Sequence, residues 1–254
     1  MRMETKKVSS ASLENKTHDF LLMGLVVQPK MRKELFNGVI LPKMRSTFLD
    51  FNHSLLADVD LAKLEETQML NLNGTIQVKD KITASYNGVN LEMFTLCITR
   101  HSVDDNSNSE TLFYGQWMIF DAEKYRSYDK IICSSKFFVT SYFKIRDNKV
   151  KQFEYLKNAN NQFTDDFIVE ANDENEVKKI LTNEVMDAIV RIKSAHPRQP
   201  MGFGFINGKL HVGIYSNQEM TPVISYRKLK KQGINNFVNT YIKNITDIVD
   251  LLHL

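Results

Sequence analysis

Gln199-Pro200-Met201-Gly202-Phe203-Gly204-Phe205-Ile206-Asn207-Gly208-Lys209-Leu210-His211-Val212-Gly213-Ile214-Tyr215 is the stretch on which the reading of the chain turns. Asn207-Gly208 separates two runs of apolar and glycine residues. Both central residues of a type I′ turn need positive φ, and Asn-Gly tolerates that best, so the stretch reads as a hairpin with a two-residue loop. The loop sets the register: Ile206 opposite Lys209, Phe205 opposite Leu210, Phe203 opposite Val212 and Met201 opposite Ile214. Side chains alternate across a strand. Met201, Phe203, Phe205, Leu210, Val212 and Ile214 therefore share a core face, and Gly202, Gly204 and Gly213 share the other with His211.

Asn87-Gly88 repeats the device and places Tyr86 opposite Val89, Ala84 opposite Leu91 and Ile82 opposite Met93. Thr83, Ser85, Asn90 and Glu92 take the second face, which is half wet as an antiparallel sheet permits. Further strands are expected at Thr111–Asp121, Lys130–Cys133, Phe137–Ile145 and Val150–Tyr155, the last two flanking a turn at Asp147-Asn148. Helical spacing runs from Met31 to Phe51, broken by Gly38 and Pro42. A short helix is expected from Asp60 to about Leu70, with Leu61 and Leu64 inward. Phe167-Ile168-Val169 reads as the entry to a helical region, with Asp173 and Glu176 as a capping box. Thr182 restarts or continues that helix, and His196-Pro197 ends it. From Lys228 onward, Ile234, Phe237, Val238, Tyr241, Ile245, Ile248 and Leu252 describe an amphipathic helix.

Strands and helices do not alternate as βαβ units. The expectation is α+β: an antiparallel sheet built from hairpins, helices packed against one face and a long C-terminal amphipathic helix. Residues 1–29 read as a partly flexible N-terminal tail, and 30–254 as a single α+β domain.

A chain of 254 residues that is 43% hydrophobic and 25% charged has the composition of an ordinary soluble globular protein. Its net charge of +3 demands neither a nucleic acid nor an anionic membrane. Cys97 and Cys133 lack metal-type spacing and lie in apolar runs, which suits buried free thiols in a reducing, cytoplasmic setting. The longest apolar run, Phe20–Val27, falls well short of the roughly 20 residues a spanning helix needs, and no signal peptide is evident.

Local catalytic signatures are missing from the sequence. The six histidines show no metal-ligand spacing, and there is no phosphate loop or nucleophile elbow. No cofactor or metal is expected. Gly202-x-Gly204 lies inside a strand, whereas a dinucleotide motif joins a strand to a helix. Glycines in a strand mark close approach of another backbone or a ligand, so Gly202, Gly204, His211 and Gly213 are one candidate binding set. A helix packed over the glycines, with His211 hydrogen-bonded at its margin, accounts for the same pattern; Ile234–Leu252 is the candidate helix. Arg227, Lys228, Lys230 and Lys231 are the second binding set. Cations at a helix N-terminus oppose its dipole and so hint at an anionic partner, although a solvated basic turn explains them too. Aromatic residues are scattered through the strands, and no stacking platform for nucleic acid emerges.

From about residue 31 onward the order of features resembles an uncharacterised bacterial family, the domain of unknown function 3137. The resembling pieces are Val39-Ile40, Leu72–Ile76, the aromatic-glycine strand Phe113–Asp121, Phe163–Val169 followed by Ile180–Met186, and Ile206–Val212. Each is a packing motif. The resemblance implies no activity, and no functional residue is carried over from it. Members typically carry two membrane-spanning helices before the soluble domain; in that place this chain has Phe20–Val27.

The functional expectation is a non-enzymatic intracellular binding or accessory domain. It would be cytoplasmic or peripheral at the inner face of the membrane, with a protein partner first and an anionic membrane surface second. The alternative is an enzyme or small-ligand-binding protein with a nonlocal site near His211.

Overall fold

The computed structural model describes residues 34, 36–55, 59–101, 109–136, 153–216 and 233–254. The expected tail, the strand Phe137–Ile145 with its Asp147-Asn148 turn, and the basic turn Arg227–Lys231 lie outside them.

Both Asn-Gly turns form. Asn87 and Gly88 have φ of 50° and 82°, Asn207 and Gly208 of 50° and 73°. The first joins β2 (Thr75–Tyr86) to β3 (Val89–His101), and the second joins β7 (Met201–Ile206) to β8 (Lys209–Tyr215). Every expected pair is present in both hairpins. β1 (Leu49–Ser54), β4 (Ser109–Asp121), β5 (Ile131–Ser135) and β6 (Phe167–Ala171) complete one eight-stranded sheet, ordered β1-β2-β3-β4-β8-β7-β5-β6. All neighbours run antiparallel. Two bulges bend the β1 side, and each holds an aspartate at positive φ: Asp50 (49°) in β1 and Asp80 (54°) in β2.

The first face of the sheet carries the larger core. Met201, Phe203, Phe205, Leu210, Val212 and Ile214 are buried there against helices α1 (Leu41–Thr47), α3 (Glu154–Ala159), α4 (Asn161–Asp166), α5 (Glu174–Ile180), α6 (Asn183–Ala195) and α7 (Ile234–Leu252). The α+β architecture and the long C-terminal helix are as expected. α7 lies beside α6 and buries Ile234, Val238, Ile242, Ile245, Ile248 and Leu252. Its far end is tied to the sheet. Lys124 Nζ donates to the carbonyls of Leu252 and His253 at 2.8 Å each, a cation where the helix dipole favours one. Tyr86 and Asn87, at the β2–β3 turn, donate to Asp250 at 3.1 Å.

The second face has a smaller core. The short helix α2 (Leu61–Thr67) and the segment after it place Leu64, Met69 and Leu70 over Phe94, Leu96, Ile98, Phe113, Trp117, Ile132 and Ile206.

Several local expectations need correction. The segment after Phe36 is a π-helical turn, Phe36–Ile40, running into α1, with Pro42 in the first turn where no backbone partner is lost. Phe51 belongs to β1, not to a helix. Leu61 is 41% exposed, so Leu64 alone of that pair points inward. Phe153 leads into helix α3, so the strand expected to reach Tyr155 does not. Phe167–Ala171 is a strand because β5 offers it a partner; Phe167, Val169 and Ala171 are buried. Asp173 caps α5 through Asn175 N at 2.8 Å, but Glu176 turns away to accept from Asp129 N at 2.7 Å, so no capping box closes. Thr182 caps a new helix, α6, which ends at Ala195 before His196-Pro197.

Candidate functional site

The glycine face of the β7–β8 hairpin is filled, but not by α7, which lies on the opposite face. This corrects the expected covering helix. A Cβ on Gly204 would stand 2.4 Å from Met69 Sδ, and one on Gly213 2.7 Å from Trp117 Cζ3. The glycines thus make room for a methionine from the segment after α2 and for an indole from the neighbouring strand β4. Gly202 is buried in the same strand pair, opposite Gly213.

His211 lies in this layer, 5% exposed, with its ring 6.2 Å from that of Trp117. Its Nδ1 and the Trp117 Nε1 are both buried without a hydrogen-bond partner. Burial, and secondarily the charge of Lys209, lower the His211 pKa to about 4, so the imidazole is neutral at physiological pH. The hydrogen bond expected for His211 is not made. The four basic residues of the second candidate set, Arg227, Lys228, Lys230 and Lys231, lie outside the described residues.

The α2 layer leaves one end of this face open. There a groove of about 420 Å³ is lined by Asp50, Thr83, Asn90, Glu92, Ile119, Asp121 and Lys209, together with Ala84 and Leu91. The sheet register builds it: Thr83, Glu92, Ile119 and His211 form one row across β2, β3, β4 and β8, and Ser85, Asn90, Asp121 and Lys209 form the next. Lys209 Nζ donates to Asp121 at 2.5 Å and Asn90 Nδ2 donates to the same carboxylate at 2.9 Å. Partial burial works against ionising Asp121. The hydrogen bonds from Lys209 and Asn90 and the charges of Lys209 and Arg126 outweigh it, so the carboxyl lies below its usual range. Lys81 pairs with Glu92 at 2.9 Å. The Ser85 hydroxyl donates to Asp50 at 3.4 Å.

A second polar cluster lies at the bulge of β2. His53 Nε2 and Asp80 Oδ1 are 3.6 Å apart, beyond hydrogen-bond reach, with side chains 8% and 14% exposed. Phe36 meets the His53 ring edge-on at 5.5 Å. The Tyr241 hydroxyl of α7 is buried beside Gln116 without a well-formed hydrogen bond; burial and the charge of Asp80 push its pKa up, and Gln116 opposes the rise. Among the described residues no three metal-ligating side chains converge.

The groove residues were partly visible in the sequence as the wet face of the first hairpin, Thr83, Asn90 and Glu92. Asp50, Asp121 and Lys209 could not join them before the strand order was known.

The family model described as "Protein of unknown function (DUF3137)" matches residues 111–254. The match takes in the aromatic-glycine strand, Phe163–Val169, Ile180–Met186 and the β7–β8 hairpin; Val39-Ile40 and Leu72–Ile76 precede it. No curated protein and no solved structure matches the chain. Among the described residues no helix is long and apolar enough to cross a membrane.

Proposed function

We propose that this chain, which belongs to that family, is a non-enzymatic binding module that recognises a protein partner through the groove on β2, β3, β4 and β8. The observation that carries the reading is the contrast on the second face: Met69 over Gly204 and Trp117 over Gly213 fill the layer in which His211 is buried, while the neighbouring end of the face stays open and polar. Asp121 is engaged by Lys209 and Asn90, and Glu92 by Lys81 beside the groove. The one hydroxyl held by a groove carboxylate, Ser85 on Asp50, stands at 3.4 Å, beyond the roughly 2.6–3.2 Å of a nucleophile and its base. An enzymatic role for His211 would require substrate to reach a ring that is 5% exposed. Attachment to an anionic membrane through Arg227, Lys228, Lys230 and Lys231 rests on sequence alone, and the geometry adds nothing to it.

Site-specific photo-crosslinking in the native cell tests the reading. A crosslinker at Thr83, in the groove, is expected to trap a discrete protein adduct that the same group at exposed Lys179 does not. Identical patterns from both positions, or none from Thr83, would contradict a partner-binding groove.

A further inference from the structure

We infer that Asn87 is a site of spontaneous deamidation, and that its conversion to a carboxylate loosens the last turn of α7 from the sheet. The chemistry belongs to the Asn-Gly pair itself. The backbone nitrogen of Gly88 attacks Asn87 Cγ. A new N–Cγ bond forms, the Cγ–Nδ2 bond breaks, and Nδ2 leaves as ammonia with the proton that Gly88 gives up. Water then opens the succinimide ring at one carbonyl or the other, leaving aspartate or isoaspartate at position 87. Glycine in second place leaves the attacking nitrogen unshielded, because it has no Cβ. The pair occurs at Asn37, Asn73, Asn87 and Asn207, and the surroundings differ. Asn37-Gly38 lies within the helical turn Phe36–Ile40. Gly74 N donates to Leu72 O at 2.9 Å, and a Cβ there would stand 2.5 Å from Thr99 O. Gly208 is buried; its carbonyl accepts from Ala122 N at 2.8 Å, and a Cβ would stand 3.1 Å from Arg126 Cβ. Asn87 and Gly88 are both exposed, beyond the last ladder pair Tyr86–Val89, and a Cβ on Gly88 would meet nothing within 4 Å. Cyclisation requires the turn to rearrange, and this turn has the room.

What stands across from Asn87 gives the change its effect. Asn87 Nδ2 and the Tyr86 hydroxyl donate to the two oxygens of Asp250 at 3.1 Å each, so the β2–β3 turn clasps the last turn of α7. Deamidation replaces one donor by a carboxylate facing a carboxylate, beside the negative end of the helix dipole. Aspartate tolerates the left-handed backbone of this turn and adds only the charge. Isoaspartate carries the main chain through its side-chain carbons and lengthens the turn by a methylene, against the fixed Tyr86–Val89 pair. Lys124 on the carbonyls of Leu252 and His253, and the buried stripe of α7, are untouched, so one clasp is released and the helix stays.

The test is to incubate the full chain at mildly alkaline pH, digest it at intervals and assay each Asn-Gly peptide for aspartate and isoaspartate. Asn87 is expected to convert about tenfold or more faster than Asn207, whose turn must first open, and faster than Asn37 and Asn73. Equal rates, a faster site elsewhere, or an intact Asn87 after a synthetic Ser85–Leu91 peptide has turned over would overturn the assignment. Asn87→Asp and Asn87→Gly then separate the added charge from the lost hydrogen bond, since both residues suit the turn. At low salt Asn87→Asp should lower the melting temperature by about 2–4 °C and speed hydrogen exchange in the last turn of α7. Asn87→Gly should do less, and the gap between the two should close as salt rises. Identical behaviour of the two variants, or a gap that ignores salt, would refute the clasp.

Discussion

Acidification should destabilise this protein through His211, and by a calculable amount. In the unfolded chain the imidazole takes up a proton near pH 6.5; in the folded chain, buried beside Trp117, it does so only at about 4. Between these values the unfolded state binds a proton that the folded state does not, so stability falls as pH falls from 6.5 and levels off below 4. At roughly 1.4 kcal/mol per pH unit, the interval corresponds to a loss of about 3 kcal/mol. Carboxylates titrate in the same region, so the measurement must be differential. Urea unfolding of the wild type and of His211→Leu, followed from pH 7.5 to 4, gives two stability curves. The wild type should lose about 3 kcal/mol more than the variant over that range. Parallel curves would mean that His211 is protonated in the fold, and the sealed glycine layer would then be wrong.

Three other outcomes follow from the packing. Gly213→Ala drives a Cβ to within 2.7 Å of the buried Trp117 ring and should cost about 1–3 kcal/mol in a denaturant melt. Gly204→Ala meets the flexible Met69 thioether and should cost less; the reverse order would refute the account of which residues fill the trough. Tyr241→Phe removes a buried hydroxyl whose contact with Gln116 falls short of a good hydrogen bond and should leave the melting temperature equal or higher, whereas a marked drop would mean that Gln116 satisfies the hydroxyl in solution. Cys133 is fully buried with its thiol pKa pushed up by burial, so it should label only on unfolding and well after half-buried Cys97.

The elements legible in the sequence were those whose determinants are local. Asn207-Gly208 and Asn87-Gly88 specify turn type and loop length together, so the register of β2 against its partner could be read from two letters from Tyr86 back to Ile82, where the bulge at Asp80 shifts it. The C-terminal helix was equally plain, because its apolar stripe repeats over five turns. What failed depended on distant partners. Phe167–Ala171 is a strand only because β5 lies beside it, and Glu176 leaves the α5 cap only because Asp129 offers an amide. The glycine pattern correctly announced close approach, yet the approaching groups come from Met69 and Trp117, 135 and 96 positions away from Gly204 and Gly213. The groove shows the same limit: its wet hairpin face was visible, but Asp121 and Lys209 join it through the β3–β4 and β4–β8 pairings, which no short window encodes.

The central claim is that recognition belongs to the open groove and not to the sealed glycine layer. Photo-crosslinking from Thr83, run in parallel in a Glu92→Lys and in a His211→Leu background, tests it most directly. The account predicts an adduct weakened about fivefold or more by the charge reversal in the groove and a wild-type adduct with His211→Leu. A wild-type adduct with Glu92→Lys and its loss with His211→Leu would contradict it and return the site to the histidine.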